Sequence, residues 1–311
     1  GVSFDEALLL RELQRRRPGQ SKVVSGRNES DQPTVLSGVF EGKTLGTPIA
    51  IIVKNQDAKS EDYKEIQYQA RLGHADDVWK QKFGHVDYRG GGRASGRETV
   101  ARVMAGAVAQ MLVRALVPEI QVMGFASQIG PFELSDKDIQ NLLNSNFESQ
   151  MIDQYSSRFP GVEHKKVEEL LVGAKTEGQS IGGTIEIWIK NSPSGLGQPV
   201  FHKIKSDFAQ AFMSIGATSG FEMGDGQSAT QKEGAKYHGE QEADYGGVRG
   251  GITTGEMIKM RGFFKPTSSI LDVAKKGRHD PCIVPRAIPV VEAMIWIVLA
   301  NHLLWKRLDQ L

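Results

Sequence analysis

The sequence predicts a single α+β domain in which sheets are combined with a few long, buried helices. Three stretches carry that expectation. An alanine-rich run from Gly96 to Leu116 is helical, and its small side chains let it pack closely on several sides. Thr184-Ile185-Glu186-Ile187-Trp188-Ile189 alternates in the manner of a strand. An apolar run from Ile288 to Leu308 reads as a core helix. No repeat and no linker-like stretch divides residues 1–311, so one domain is expected throughout.

In chain order, Ser3 and Glu6 have the spacing of a capping box and open a first helix, with Leu9, Leu10 and Leu13 on its apolar side. Arg15-Arg16-Arg17 ends that helix and Pro18-Gly19 stops it. Thr34 to Phe40 and Pro48 to Val53 read as strands, separated by a turn around Gly42 to Gly46. A loop rich in Gly, His and Arg runs from Arg71 to Arg93, and Ser95 caps the long helix that follows. Glu119 to Phe125 and Ile181 to Ile189 read as strands. Ser135 to Phe147, Glu163 to Ala174 and Lys203 to Ile215 read as helices, and Pro193 to Pro199 as a turn. Gly255 suits a hairpin turn before Glu256 to Phe264.

Charge and composition narrow the function. The 38 Lys+Arg against 37 Asp+Glu leave a net charge of +1, which removes the usual electrostatic case for a general nucleic-acid binder. Hydrophobic residues at 39% and charged residues at 24% suit a folded core. The 35 glycines, against 12 prolines and no Gly-X-Y period, exclude collagen-like chains and point to turns and close backbone approaches. The lone cysteine, Cys282, excludes an internal disulfide framework and reads as a small core residue. No charged-then-apolar leader is visible. The run from Ala293 to Leu304, broken by Asn301 and His302, is expected to be too short and too polar to cross a bilayer. The chain therefore reads as cytoplasmic, with no membrane partner.

Arg, His and Gly gather in four places: Arg15-Arg16-Arg17 with Arg27; Arg71-Leu72-Gly73-His74-Ala75-Asp76; Arg89 through Arg97; and Gly277-Arg278-His279-Asp280-Pro281. A near-neutral protein that sets Arg beside Gly in loops suits an anion pocket. In the third place, glycines allow backbone approach and Ser95 opens a helix whose free N–H groups attract phosphate or carboxylate. Arg93 and Arg97 are spaced to grip such a group bidentately. Each feature also has a plainer reading. The Arg15–Arg17 run suits a solvated helix end. The glycine loop is neither a Walker A motif nor a Rossmann fingerprint. His74-Ala75-Asp76-Asp77 lacks ligand spacing, so no metal is expected. Ser95 lacks a nucleophile-elbow pattern. Composition and spacing reach an enzyme that binds several anionic groups, and stop there.

Several blocks, taken in order, resemble the chorismate synthase family. They are Arg15-Arg16-Arg17-Pro18-Gly19-Gln20-Ser21; Leu36 through Gly42 with Gly46-Thr47-Pro48-Ile49; Gly73-His74-Ala75-Asp76; Tyr88 through Thr99; Lys265-Pro266-Thr267-Ser268-Ser269-Ile270; and Gly277 through Pro281. The resemblance covers essentially the whole chain. It implies a carbon–oxygen lyase acting on phosphates, which converts 5-enolpyruvylshikimate 3-phosphate to chorismate by an anti-1,4-elimination. This is the last step of the shikimate pathway, and it requires reduced FMN without net redox change. The substrate brings a phosphate and two carboxylates and FMN adds another phosphate, which suits an arginine-rich pocket. The implied fold is a β-α-β sandwich, with long central helices between two antiparallel sheets, assembled as a homotetramer.

The resemblance also implies roles for single residues. His74 matches the histidine that protonates the reduced flavin near N1, and Asp280 with Ser95 matches the pair that handles the proton at N5. Arg93, Ala94, Ser95, Gly216, Ala217, Gly250, Lys265, Pro266, Thr267, Ser268, Ser269 and Arg278 match flavin-binding positions. Arg27, Arg71 and Arg97 match ligands of the substrate's anionic groups. Arg16 and Lys22 match positions linked to NADPH in members that reduce their own flavin.

Departures from the family pattern are specific. The Gly-Glu-Ser-His-Gly block, which carries a second catalytic histidine, has no counterpart in this sequence, and the segment between Ile270 and Lys276 is shorter than the family's loop. Both are expected in the full gene product; the alternative is an inactive flavin- or phosphate-binding scaffold of the same fold. Ala94 replaces the first serine of the family's Arg-Ser-Ser, and Asp244 through Arg249 departs from a usually Asn-rich run. The rival from another class is a nucleic-acid module built on Arg15–Arg17, Arg89–Arg93 and Arg249-Gly250-Gly251. The near-zero charge and the lack of interleaved aromatics argue against it.

Overall fold

The structure, a computed structural model, describes residues 1–26, 30–55, 73–87, 92, 94–239, 243–271 and 279–309. Helix α1 (Glu6–Arg16) is capped by Asp5, whose carboxylate accepts the Leu8 N–H at 2.9 Å. Ser3, expected to be the cap, instead pairs with Lys43 across a β-bridge; the chain is still extended there, so the helix begins beyond it. Strands β1 (Pro33–Ser37), β2 (Val39–Phe40), β3 (Lys43–Thr44) and β4 (Ala50–Val53) form two antiparallel pairs, β1 with β4 and β2 with β3. The single strand expected from Thr34 to Phe40 is divided at Gly38. Its φ of +84° is left-handed, and a Cβ there would lie 2.7 Å from the Pro48 carbonyl oxygen and from Ile49.

Helix α2 (Asp76–Phe83) lies inside the stretch read as loop. Ala75 gives it no side-chain cap, so no cap marks its start in the sequence, and its Val78, Trp79 and Phe83 are exposed. A single 3₁₀ turn (Gly96–Glu98) leads into α3 (Thr99–Leu116). Then come β5 (Gln121–Ile129), β6 (Phe132–Glu133), α4 (Asp136–Leu143), α5 (Ser149–Asp153), α6 (His164–Glu177) and β7 (Gly183–Lys190). Helix α4 has a full capping box between Ser135 and Asp138. After α7 (Ile204–Met213) follow β8 (Thr218–Met223), α8 (Gly234–Gly239), β9 (Val248–Arg249), β10 (Ile252–Thr253), β11 (Ile258–Phe264) and α9 (Val284–Asp309). The hairpin expected at Gly255 forms instead across Gly250-Gly251, with φ of +62° and +95°, and β11 pairs with β7 and β8.

The main sheet is antiparallel, in the order β6-β5-β7-β11-β8. Ile185, Ile187 and Ile189 of β7 are fully buried and pair in register with Ala126, Gly124 and Val122 of β5. Helix α9 lies against β5 and β7, and α7 against β8; α3 packs on α9, and α1 on both. Among the described residues β1–β4 and β2–β3 are two separate two-stranded antiparallel pairs, not joined into the second sheet that the expected sandwich requires. Their Val35, Val39, Ile51 and Val53 pack on the same core.

Helix α9 organises this packing. With 26 residues it is long and apolar enough, by length and composition, to cross a membrane, as is the 96–116 stretch; the expectation of a run too short and too polar is overturned. In α9, 78% of the most apolar window is buried inside the fold, as in a core helix. Pro289 stands within the helix and has no N–H for the Pro285 carbonyl. Buried Arg158 supplies the replacement donor, Nη1, to that oxygen. Gly106 of α3 marks the closest approach to α9: a Cβ there would lie 2.4 Å from Ala293 Cβ. At the contact with α7, buried His302 and half-buried Asp207 share a hydrogen bond of 2.9 Å between Nε2 and Oδ2. Burial pushes the imidazole below its ordinary value, against the pull of Asp207.

Gly106→Val should therefore force the two helices apart and lower stability by about 2–3 kcal/mol in denaturant titration; an unchanged midpoint would contradict this contact. The fold favours neutral His302, so its contribution is present above the unfolded value of about 6.5 and is lost as pH falls below it. Between pH 7 and 5.5, the melting temperature of the wild type should fall more steeply than that of His302→Gln. Parallel profiles would remove His302 from the acid sensitivity.

Candidate active site

A cavity of about 400 Å³ opens where the last turn of α1, the start of α3, the α7–β8 turn, the segment after β11 and the first turns of α9 converge. Ser95 lies on its wall in extended conformation, with its Oγ accepting the Arg97 N–H at 3.3 Å. Arg102 then ties α3 to the end of α7: Nε meets Glu98 Oε1 at 3.0 Å, Nη1 donates to Ser214 Oγ at 2.6 Å and Nη2 to Ser214 O at 2.9 Å. That clamp holds the segment carrying Ile215, Gly216 and Ala217, all on the cavity. Ala217 has a left-handed φ of 71°, which is costly for a residue with a Cβ, and its carbonyl accepts the Lys265 N–H at 3.0 Å. The Lys265–Ser269 segment is thereby hung from the Gly216–Ala217 turn. Ser180 Oγ also donates to Thr267 O at 2.8 Å.

His74 reaches the same cavity from the chain before α2. Gly73, with φ of +71°, brings it there: a Cβ on Gly73 would lie 3.6 Å from Ser268 Cβ, so the two segments touch. Asp280 also lines the cavity, with both carboxylate oxygens engaged. Oδ1 accepts the Ser25 N–H at 2.8 Å and Oδ2 accepts Arg286 Nη1 at 2.7 Å. Ala94, Ile215, Ala217, Ile283 and Val290 give the lining its apolar part. Thr267, Ser268, Ser269, Lys265 and Arg97 are among the polar residues of the lining. Apolar surface beside hydroxyls and cations suits a ligand with a flat ring system and anionic groups.

The structure thus brings together His74, Ala94, Ser95, Arg97, Gly216, Ala217, Lys265 through Ser269, Asp280 and Arg16. Gly250 stands apart in the β9–β10 hairpin, with nothing within 4 Å of a built Cβ. Lys22 is exposed and does not line the cavity. Arg27, Arg71, Arg93 and Arg278 lie outside the described residues. The Arg15–Arg17 run is not a solvated helix end: Arg15 and Arg16 are buried. Arg16 pairs with Asp31 at 2.7 Å and donates Nε to Thr99 Oγ1 at 3.1 Å and Nη2 to Gly96 O at 3.2 Å. These bonds hold the start of α3 against α1, and the NADPH link of Arg16 rests on resemblance alone.

Cys282 is buried and its thiol is pushed up to about 12 by burial, which makes it inert, in keeping with a core residue. Among the described residues no group of His, Cys, Asp and Glu suits a metal ion. Sequence reasoning missed Arg286 and Trp79 on the cavity. A single cation inside the apolar run Ile283-Val284-Pro285-Arg286-Ala287-Ile288 is the signal that could have found the first.

The family model described as chorismate synthase matches residues 1–304. A chorismate synthase of Bdellovibrio bacteriovorus is 58% identical over all of this chain and 91% of its own length. One from Synechocystis is 43% identical over 94% of this chain and 86% of its own. A solved structure titled as the crystal structure of chorismate synthase superimposes with a TM-score of 0.75 at 31% identity, over 98% of this chain and 85% of that one. On these grounds the chain belongs to the chorismate synthase family.

Proposed function

We propose that this chain converts 5-enolpyruvylshikimate 3-phosphate to chorismate and phosphate, with reduced FMN held in the cavity described above. The observation that carries this is the convergence of His74, Ser95 and Asp280, from three distant parts of the sequence, on one cavity with the Lys265–Ser269 segment. The residues present fit a flavin in kind. The apolar lining residues Ala94, Ala217 and Ile215 offer contacts for a ring, and Lys265 with the hydroxyls of Thr267, Ser268 and Ser269 offers donors for phosphate. When bound, reduced flavin supplies electron density to the breaking allylic bond.

The protein's own residues do the rest. Arg97 and Lys265 draw the anionic substrate in and oppose the charge that builds on departing phosphate. Between substrate and products the C–O bond to phosphate breaks, the C6 hydrogen leaves, and its electron pair completes the new diene. A ring nitrogen of His74 holds a proton at the cavity. Ser95 Oγ and Asp280 lie on the cavity as acceptors; each Asp280 oxygen has a second lone pair beyond the bond it already accepts.

An anoxic assay with chemically reduced FMN should yield chorismate. His74→Ala and Asp280→Asn should each lower turnover at least about a hundredfold, the scale of lost acid–base help. Near-normal turnover in either variant rejects that residue's role. Flavin and substrate binding without any turnover in the wild type would favour an inactive scaffold.

A further inference from the structure

We propose that Arg286 is a positioning residue, which with Arg16 forms a two-arginine brace that fixes Asp280 relative to Ser95; this rests on the roles assigned to those two residues above. Arg286 stands in the first turns of α9 with only 15% of its side chain exposed, and Asp280 has 8%. Two of its donors are committed to the protein. Nη1 donates to Asp280 Oδ2 at 2.7 Å, and Nε donates to the Arg16 carbonyl at 3.2 Å. Arg16 carries the connection onward: its guanidinium donates to Gly96 O at 3.2 Å and to Thr99 Oγ1 at 3.1 Å, and it is anchored by Asp31 at 2.7 Å. Gly96 directly follows Ser95. An unbroken path of hydrogen bonds therefore runs from the carboxylate of Asp280, through two arginines, to the backbone beside Ser95.

Several features single out Arg286. The other Asp280 oxygen is held by the Ser25 backbone N–H at 2.8 Å, so losing the guanidinium leaves the carboxylate tethered on one side and free to swing. The task needs a planar fork. An ammonium is a point donor and cannot span the carboxylate and the Arg16 carbonyl with fixed geometry. Misplacing an acid–base group by about 1 Å can cost a hundredfold in rate while binding survives. Loss of the brace should therefore appear in kcat and not in KM.

The test is anoxic steady-state kinetics with reduced FMN on the wild type, Arg286→Lys, Arg286→Gln, Asp280→Asn and the double variant Asp280→Asn with Arg286→Gln. Arg286→Gln should lower kcat at least about tenfold with the substrate KM within about twofold, and Arg286→Lys should recover part of the loss. With Asp280→Asn already present, Arg286→Gln should cost less than about twofold more, because no carboxylate remains to position. Unchanged kcat, a raised KM at normal kcat, or fully additive losses would each overturn the proposal. Should the Gln variant fail to fold, the Lys variant decides: lowered kcat at normal KM supports the brace, and normal kcat overturns it. If the wild type forms no chorismate, the functional reading fails on its own. A crystal structure of Arg286→Lys then judges the brace, with a displaced Asp280 carboxylate supporting it and an unmoved one overturning it.

Discussion

Glu292, a carboxylate buried in the middle of α9, sets where its neighbours can stand. It accepts Arg15 Nη1 at 2.6 Å, the Gly124 N–H at 2.8 Å and the Ser149 hydroxyl at 3.2 Å. Those donors come from α1, β5 and α5, so four elements meet at one group. Burial pushes the Glu292 carboxyl up, opposed by Arg15. Burial alone would lower Arg15, but Glu292, Glu12 and Asp153 raise it well above its usual value and keep it charged. Removing one partner from a buried pair of this kind leaves an uncompensated charge and costs about 3–5 kcal/mol. The residue at position 124 must be small: a Cβ there would lie 2.8 Å from Ile187 and 2.9 Å from Ile288.

The cavity follows from that knot. With Arg15 drawn to Glu292, the last turn of α1 lies against the first turns of α9, where Arg16 presents its carbonyl to Arg286. Arg158 extends the same tie, donating Nη2 to the Arg15 carbonyl at 2.8 Å and Nη1 to the carbonyl that Pro289 leaves without a helical partner. The Arg15 and Arg16 cations are therefore matched by buried acids and hold the scaffold, and Arg16, Arg97 and Lys265 all line the cavity. A chain with a net charge of +1 can in this way place several cations on one cavity.

Elements with a strong period were legible in the sequence. The alanine-rich run, the alternating strand at Thr184–Ile189 and the apolar C-terminal helix all lie where their patterns put them. Weakly patterned elements were not: α2 has no side-chain cap, and β8 is a short edge strand containing Gly220. In the site, the ordered motifs were visible, but the partners of the arginines were not. Asp31 lies 15 residues from Arg16 and Glu292 lies 277 from Arg15, and an arginine run at a helix end reads the same whether it faces water or distant acids. The same separation hid Arg286, whose place on the cavity depends on α1 and α9 meeting.

The most direct measurement is a crystal structure of the protein grown without oxygen, with reduced FMN and 5-enolpyruvylshikimate 3-phosphate. The prediction is a flavin ring against Ala94, Ala217 and Ile215, with substrate between it and His74 and with Asp280 still held by Arg286 and Ser25. A flavin seated elsewhere, or a cavity holding neither molecule at saturating concentration, would contradict the assignment of this cavity as the reaction site.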